Sequence, residues 1–502
     1  MSAALKTDAV VGVVGAGTMG AGIAQVAAAA GHPVLLTDAA KGAVEKAVTG
    51  IGAALDRRVK SGKLDAEARD AILGRIAPAA NLKALAGAAL VIEAVAEDLS
   101  VKRKLLADLE KAVSVTTLLA SNTSSLSITA LAGALRHTGR VVGMHFFNPV
   151  PAMALVEVVS GLATAPEAAE QIAATAKAWG KTPIHVRSST GFVVNRIARP
   201  FYGEALRLLK ESAADPATID AVLRDGGGFA MGPFQVMDLV GIDVGLAVSR
   251  TFYEATYGEP RFRPSPIQEE MVAAGLLGRK SGRGFYDYAQ DAVLPEPATA
   301  PHAPAPTRLR VEGEPGPAAT LVELAEERGI EIERDSHGAG HLVLPGATLA
   351  LSDGRPATLR AADEGLDNLV LFDLAGDYRL ATRLAVAPAD QAEDAALTAA
   401  VGLFEALGKA VSVVDDPPGL IVMRTVAMLA NEAFEVVEGR VAAPEDVDTA
   451  MRLGVRYPRG PLAWAHEVGL ARLVRTLDNL RAVTGEERYR AALLLRRKSI
   501  MD

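Results

Sequence analysis

Eight histidines, at positions 32, 137, 145, 185, 302, 337, 341 and 466, supply the side chains best suited to proton transfer near neutral pH. His145 stands apart from the others. It ends the apolar run VVGM, and a carboxylate, Glu157, follows twelve residues on at the start of another apolar segment. Open α/β sheets gather their ligands at the carboxyl ends of strands, so an imidazole there is placed for general-base work. A carboxylate behind it would fix its tautomer and steady the imidazolium. The second candidate is Gly15-Ala16-Gly17-Thr18-Met19-Gly20, a G-x-G-x-x-G run. It follows the strand-like AVVGVV (9–14), opens an Ala-rich helical stretch over about 18–30, and precedes PVLLTD, a second strand ending at Asp38. There the glycines allow a tight turn and close approach to a pyrophosphate, and the helix N-terminus favours its charge. Asp38 would accept hydrogen bonds from ribose hydroxyls and repel a 2′-phosphate, which favours NAD over NADP. Cysteine is absent, so thiolate nucleophiles, disulfides, Cys-ligated zinc and iron–sulfur clusters are excluded. No metal site is expected.

The elements that must hold these residues can be read along the 502-residue chain, a length that suggests three or four domains. Further strand-like runs at 88–97, 117–122 and 141–147 alternate with helical stretches, the rhythm of a doubly wound parallel sheet. From about 190 the pattern turns helical. Prolines at 295, 297, 301, 304 and 306 then mark a semi-extended linker. The short runs HLVLPGATLAL, NLVLFDLA and VSVVD, with one helix near 318–329, make 307–415 a small α/β domain. The strongest organising signal is a repeat: TGFVVNRIARPFYGEAL (190–206) matches PGLIVMRTVAMLANEAF (418–434) at an offset of 228. At that offset Asp220 pairs with Asp448 and Gly232-Pro233 with Gly460-Pro461, but Asn195 with Met423. The expected organisation is a Rossmann-type α/β domain (1–188), an all-α domain (189–288), a linker (289–306), a small α/β domain (307–415) and a second all-α copy (416–502). Asn431→Ala, in the second copy, is expected to leave kcat nearly unchanged.

The formal charge of −8 disfavours nucleic acid or an anionic membrane as partner. The N-terminus lacks a signal-peptide pattern, and no apolar run approaches the about 20 residues that span a bilayer. A soluble, cytoplasmic protein is expected.

Four segments, VVGVVGAGTMGAGIAQ, SNTSSL (121–126), GMHFFNPVPAMALVEVV (143–159) and TGFVVNR (190–196), resemble the L-3-hydroxyacyl-CoA dehydrogenase family over residues 8–288. The resemblance implies NAD-dependent oxidation of an (S)-3-hydroxyacyl-CoA to its 3-oxoacyl-CoA, a β-oxidation-type step of fatty acid metabolism. It makes His145 and Glu157 a catalytic dyad and gives Ser124 and Asn195 hydrogen bonds to the substrate. Glu97, Lys102 and Asn148 would line the nicotinamide half of the cofactor site, with Lys280 reaching it late in the chain. The locally basic LDRRVKSGKL (55–64) offers Arg57, Lys60 and Lys63 to coenzyme A phosphates, or simply to solvent. Single-copy relatives dimerise through the helical domain, so a homodimer is implied, although two copies in one chain could pack together. The full plan resembles the longer bacterial members of phenylacetate catabolism acting on 3-hydroxyadipyl-CoA; 3-hydroxybutyryl-CoA is the shorter alternative. Two rival readings are a dehydrogenase of a free hydroxy or sugar acid and a non-catalytic NAD-binding structural protein. Arg199 and Arg207 are read as exposed helix arginines or as anchors for a second carboxylate.

Overall fold

A computed structural model describes residues 3–501. It contains two compact units, Met1–Arg196 with Gly439–Val455, and Ile197–Glu438 with Arg456–Asp502. The first is built on eight strands, β1 (Val11–Val14), β2 (Val34–Thr37), β3 (Ile76–Pro78), β4 (Leu90–Glu93), β5 (Leu118–Ser121), β6 (Val141–Phe146), β7 (Leu155–Ser160) and β8 (Thr182–Arg187). Their order is β3-β2-β1-β4-β5-β6-β7-β8; β3 through β6 run parallel, and β7 turns antiparallel to β6. Every residue of β1, β4, β5 and β6 is buried, which is why these strands are continuously apolar rather than alternating. Helix α1 (Thr18–Ala29) follows β1 and α2 (Ala43–Lys60) follows β2. Strand order reverses between β1 and β4, so the crevice beyond their carboxyl ends is where a ligand belongs.

One piece of this unit comes from far along the chain. The helix Pro444–Gly454 lies in the second helical copy, yet it packs on β7 and β8. The Arg187 amide donates to the Val441 carbonyl (2.7 Å) and the His185 amide to Asp446 (3.1 Å). Gly454 fits because a Cβ there would lie 2.9 Å from both Leu155 and Val194. The compact units therefore do not follow the order of segments in the sequence.

The second unit has a seven-stranded sheet, β9 (Arg308–Glu312), β10 (Glu331–Asp335), β11 (His341–Leu344), β12 (Ala347–Leu351), β13 (Leu369–Phe372), β14 (Arg383–Pro388) and β15 (Ala410–Val413). The order is β10-β9-β11-β12-β13-β14-β15. Sequence reading found only part of it. EIERD of β10 is almost wholly exposed, so its apolar signal is weak; tertiary pairing with β9 makes it a strand. The semi-extended Pro-rich segment is held by hydrogen bonds along its length. The Ala300 amide donates to Val411 (2.8 Å), the Ala303 amide to Glu405 (2.9 Å), and Arg383 reaches the Ala298 carbonyl (3.3 Å).

The duplicated helices match in detail. Pro233–Val240 and Pro461–Val468 begin and end at the same offset of 228, each entered through Gly-Pro and closed by a glycine of positive φ (105° and 95°). Within this unit the two copies pack together, Arg199–Lys210 against Val422–Glu438. No helix among the described residues is long and apolar enough to cross a membrane.

Candidate active site

His145 and Glu157 face each other across the β6–β7 pair. The His145 Nδ1 lies 2.6 Å from Glu157 Oε2, and both side chains are buried. An acidic partner at that distance requires Nδ1 to carry the proton, which leaves the lone pair of the neutral ring on Nε2. The other oxygen, Oε1, accepts from the Val193 and Val194 amides (3.0 Å each). One carboxylate therefore ties the imidazole to the first turn of the helix that carries Asn195. Phe147 and Phe192 pack against the ring, with centroids 4.5 and 5.8 Å away.

Ser124 and Asn195 meet beside this dyad: Asn195 Nδ2 lies 3.4 Å from the Ser124 carbonyl. The loop of Ser124 is held by Glu97. Its Oε1 accepts from Thr123 Oγ1 (2.6 Å), the Ser124 amide (3.0 Å) and the Ser125 amide (3.2 Å) and hydroxyl (3.0 Å). Burial would raise the Glu97 carboxyl, but the Thr123 hydroxyl, the Lys102 charge and the other donors hold it below the usual range. Lys102 is not a solvated lysine: it is 1% exposed, with Nζ 2.8 Å from Glu93, 3.2 Å from the Val95 carbonyl and 3.3 Å from Glu97. Those contacts make it the support of Glu97. Sequence reading missed Glu93, which also accepts from Ser121, and Asn122, whose Oδ1 receives the Phe146 amide (2.8 Å). A glutamate ending a buried apolar strand was the available signal for the former.

The glycine loop has a different task at each position. Gly15 adopts φ +104°, and a Cβ there would meet the Ala94 carbonyl. A Cβ on Gly20 would overlap the Gly15 carbonyl, so the strand–helix approach itself demands glycine. At Gly17 a Cβ would meet nothing within 4 Å. Open space over the first turn of α1 is what a pyrophosphate needs. Asp38 closes the edge, accepting from the Ala16 amide (2.6 Å) and the Ala40 amide (2.8 Å). A cavity of about 780 Å³ reaches from Gly15, Gly17 and Asp38 to Ala96, and another of about 650 Å³ is lined by Gly17, Thr18, Asp38, Lys46 and Asn148. These residues fit a dinucleotide with a free ribose hydroxyl pair. Met19 is partly buried and packs on the sheet core.

Arg57, Lys60 and Lys63 are exposed at the end of α2 and in the turn beyond it. The cavity that α2 lines takes Lys46 instead, about 20 Å back along the helix from Lys60. Lys280 belongs to the second unit, where its ammonium pairs with Asp243. Arg207 is not an exposed helix residue: it pairs with buried Glu204 (2.5 Å) and, with Arg199, lines a cavity of the second unit.

The second half repeats this site without its chemistry. Strands β12–β15 follow the same parallel, antiparallel, parallel pairing as β5–β8. Ser412 sits at the repeat offset from Ile184, and its strand partner Ala385 occupies the register position of Glu157. The Asp373 amide donates to the Ala385 carbonyl, which places Asp373 where the first half has His145. Asp373 is buried and accepts from the amides of Ile421, Val422, Met423 and Leu374, at 2.7–2.9 Å. The helix-holding role of Glu157 has thus moved to the histidine's place, and no imidazole or amide remains.

Residues 10–189 match the 3-hydroxyacyl-CoA dehydrogenase NAD-binding domain, and residues 191–288 and again 419–500 match the C-terminal domain of that enzyme. The chain belongs to the 3-hydroxyacyl-CoA dehydrogenase family. It is accordingly an NAD-dependent oxidoreductase of acyl-CoA chemistry. Residues 349–418 match the reduced Rossmann-fold domain of 3-hydroxybutyryl-CoA dehydrogenase. The 3-hydroxyadipyl-CoA dehydrogenase of Escherichia coli (strain K12) is 43% identical over 495 residues, 98% of both chains. A probable 3-hydroxybutyryl-CoA dehydrogenase of Deinococcus radiodurans is 42% identical over 277 residues, 55% of this chain but 99% of its own. The crystal structure of 3-hydroxybutyryl-CoA dehydrogenase from E. coli K12 superposes with a TM-score of 0.90 at 42% identity, covering 99% of each chain. Family members thus come in a one-copy and a two-copy form, and this dehydrogenase has the two-copy plan.

Proposed function

We propose that the chain oxidises (S)-3-hydroxyadipyl-CoA to 3-oxoadipyl-CoA, within phenylacetate catabolism in the cytoplasm, with the reaction carried by the first 288 residues. The observation that carries the site is the buried 2.6 Å His145–Glu157 pair beside Asn195 and Ser124. His145 Nε2 takes the proton of the substrate 3-hydroxyl. Bound NAD supplies the acceptor for the hydride leaving C3. Glu157 keeps the imidazole oriented and offsets the charge it gains, while its bonds to the Val193 and Val194 amides hold it still. Ser124 and Asn195 donate to the substrate oxygen as negative charge builds there; neutral donors fixed in advance lower such barriers. Glu97 and Lys102 position the Ser124 loop, and Asn148, with Gly17 and Thr18, lines the cofactor cavity. Arg57, Lys60 and Lys63 stay as candidate coenzyme A phosphate contacts, and Lys280 as a cofactor contact.

The dicarboxylic substrate rests on the full-length likeness to the adipyl enzyme; the butyryl names among the relatives support the shorter acyl group as second reading. Absorbance of NADH should rise with 3-hydroxyadipyl-CoA at the highest kcat/KM, more slowly with 3-hydroxybutyryl-CoA, and not with the free acids. Turnover of free acids alone would overturn the assignment. The homodimer implied by the family likeness is part of the same reading, and sedimentation at twice 52.1 kDa is its check.

A further inference from the structure

The second unit holds a cavity of about 510 Å³ whose lining includes none of His145, Glu157, Ser124 and Asn195. Its wall is the helix Arg199–Lys210, and the segment 260–268 and residues Glu486 and Arg488 close it. Six cations line it, Arg199, Arg207, Lys210, Arg261, Arg263 and Arg488, against two carboxylates, Glu211 and Glu486. Some of this charge is spent: Arg207 pairs with Glu204, Arg261 with Glu432 and Glu435, and Glu211 with Arg424. Lys210 and Arg263, both exposed, add positive charge at the rim.

Arg488 is the decisive residue. It is 4% exposed, and although its Nε donates to Glu486, its Nη1 is buried without a hydrogen-bond partner. A buried donor of a cationic group left unpaired is costly, and folded proteins keep few of them. Tyr202, Leu206 and Phe262 give the same cavity an apolar side. Room for the Arg207 guanidinium comes from Gly203, where a Cβ would already lie 3.2 Å from Nη1.

The duplication provides an internal control. At the offset of 228 the second copy has Ala427 for Arg199, Ala430 for Tyr202, Glu435 for Arg207 and Glu438 for Lys210. The second helix forms with a glutamate in the place of Lys210, so that exposed cation is not a requirement of the helical fold.

We propose that this cavity binds a compact organic anion, a carboxylate or phosphate group on a short apolar body, with Arg488 on the anionic group, Lys210 and Arg263 adding charge at its rim, and Tyr202, Leu206 and Phe262 along the body. Guanidinium groups suit both anions because each can take two parallel hydrogen bonds. Calorimetric titration of the full chain saturated with NAD tests it, with adipate as the carboxylate probe and phenyl phosphate as the phosphate probe. One site per chain is expected, weakened about tenfold in Lys210→Ala/Arg263→Ala, whose side chains are exposed, and further in Arg488→Met. Binding must persist in His145→Gln. Preference for one probe assigns the anion's source. Silence with both probes overturns the proposal, as does binding indifferent to the arginine and lysine changes, or binding lost with His145.

Discussion

Glu157 serves two partners with its two oxygens, and the roles can be separated by substitution. Glu157→Gln keeps an oxygen for the Val193 and Val194 amides but removes the charge that steadies a protonated His145. We expect kcat to fall about 10²-fold with KM for the thioester within about threefold, and a larger loss, about 10³–10⁴-fold, for His145→Gln. Steady-state kinetics on both variants check this; equal and small losses would remove the general base. Asp38→Ala removes the acceptor for a ribose hydroxyl pair and the repulsion of a 2′-phosphate. Its NADP-to-NAD ratio of kcat/KM should rise at least about tenfold, roughly 1.4 kcal/mol. His145 and the glycine loop were legible because each sits at a strand end in a spacing with a physical reason. The Glu93–Lys102–Glu97 chain was not. Lys102 and Glu97 look like solvated charges in sequence, and only the fold reveals that Lys102 is buried between two carboxylates.

At the scale of elements, what mattered was where a strand or helix ends and what holds its end. The Gly-Pro entries and glycine exits of the repeat were readable, since each glycine closing a helix at positive φ leaves a mark in sequence. The register of the second sheet was not, so neither was the place of Asp373. Burial pushes that carboxyl up to about 7, and the Val422, Met423, Ile421 and Leu374 amides only partly offset it. The folded state therefore holds a proton that the unfolded chain, near 3.8, releases, and stability from this group falls as pH rises from about 4 to 7. Asp373→Asn cannot titrate. The melting-temperature advantage of the parent over this variant should shrink between pH 5 and pH 8, and a gap that widens would refute the account. Asn431 holds an element end in the same way. It is buried, donating to the Arg490 carbonyl (3.0 Å) and accepting from the Ala492 amide (2.7 Å). Asn431→Ala should cost about 1–3 kcal/mol on denaturant unfolding, because both backbone groups lose their partner.

For the whole molecule, duplication has placed beside each other two helical copies that a one-copy relative has once. In the second unit their contact is polar: Arg424 Nε lies 2.8 Å from Glu204, its Nη atoms 2.6 and 2.8 Å from Glu211, and Tyr489 donates to Glu204 at 2.9 Å. Arg424 and Glu204 are both fully buried. Burial by itself would raise the Glu204 carboxyl, but the charges of Arg207 and Arg424 outweigh it and hold the group below the usual range. Its contribution to stability is therefore present above the unfolded value of about 4.5 and lost as pH falls. Arg424→Met takes away one of the two charges, and breaking a buried pair from one side costs about 3–5 kcal/mol. Burial then has less opposing it, the Glu204 carboxyl rises, and the variant can recover by taking up a proton. The deficit should be largest near pH 7.5 and shrink toward pH 5.5, by at most about 1.4 kcal/mol per pH unit. Chemical unfolding of parent and variant at those two pH values measures it. A deficit that does not change with pH would mean that Arg424 acts through its packing on Tyr489, over whose ring it lies 5.6 Å from the centroid, and not through its charge.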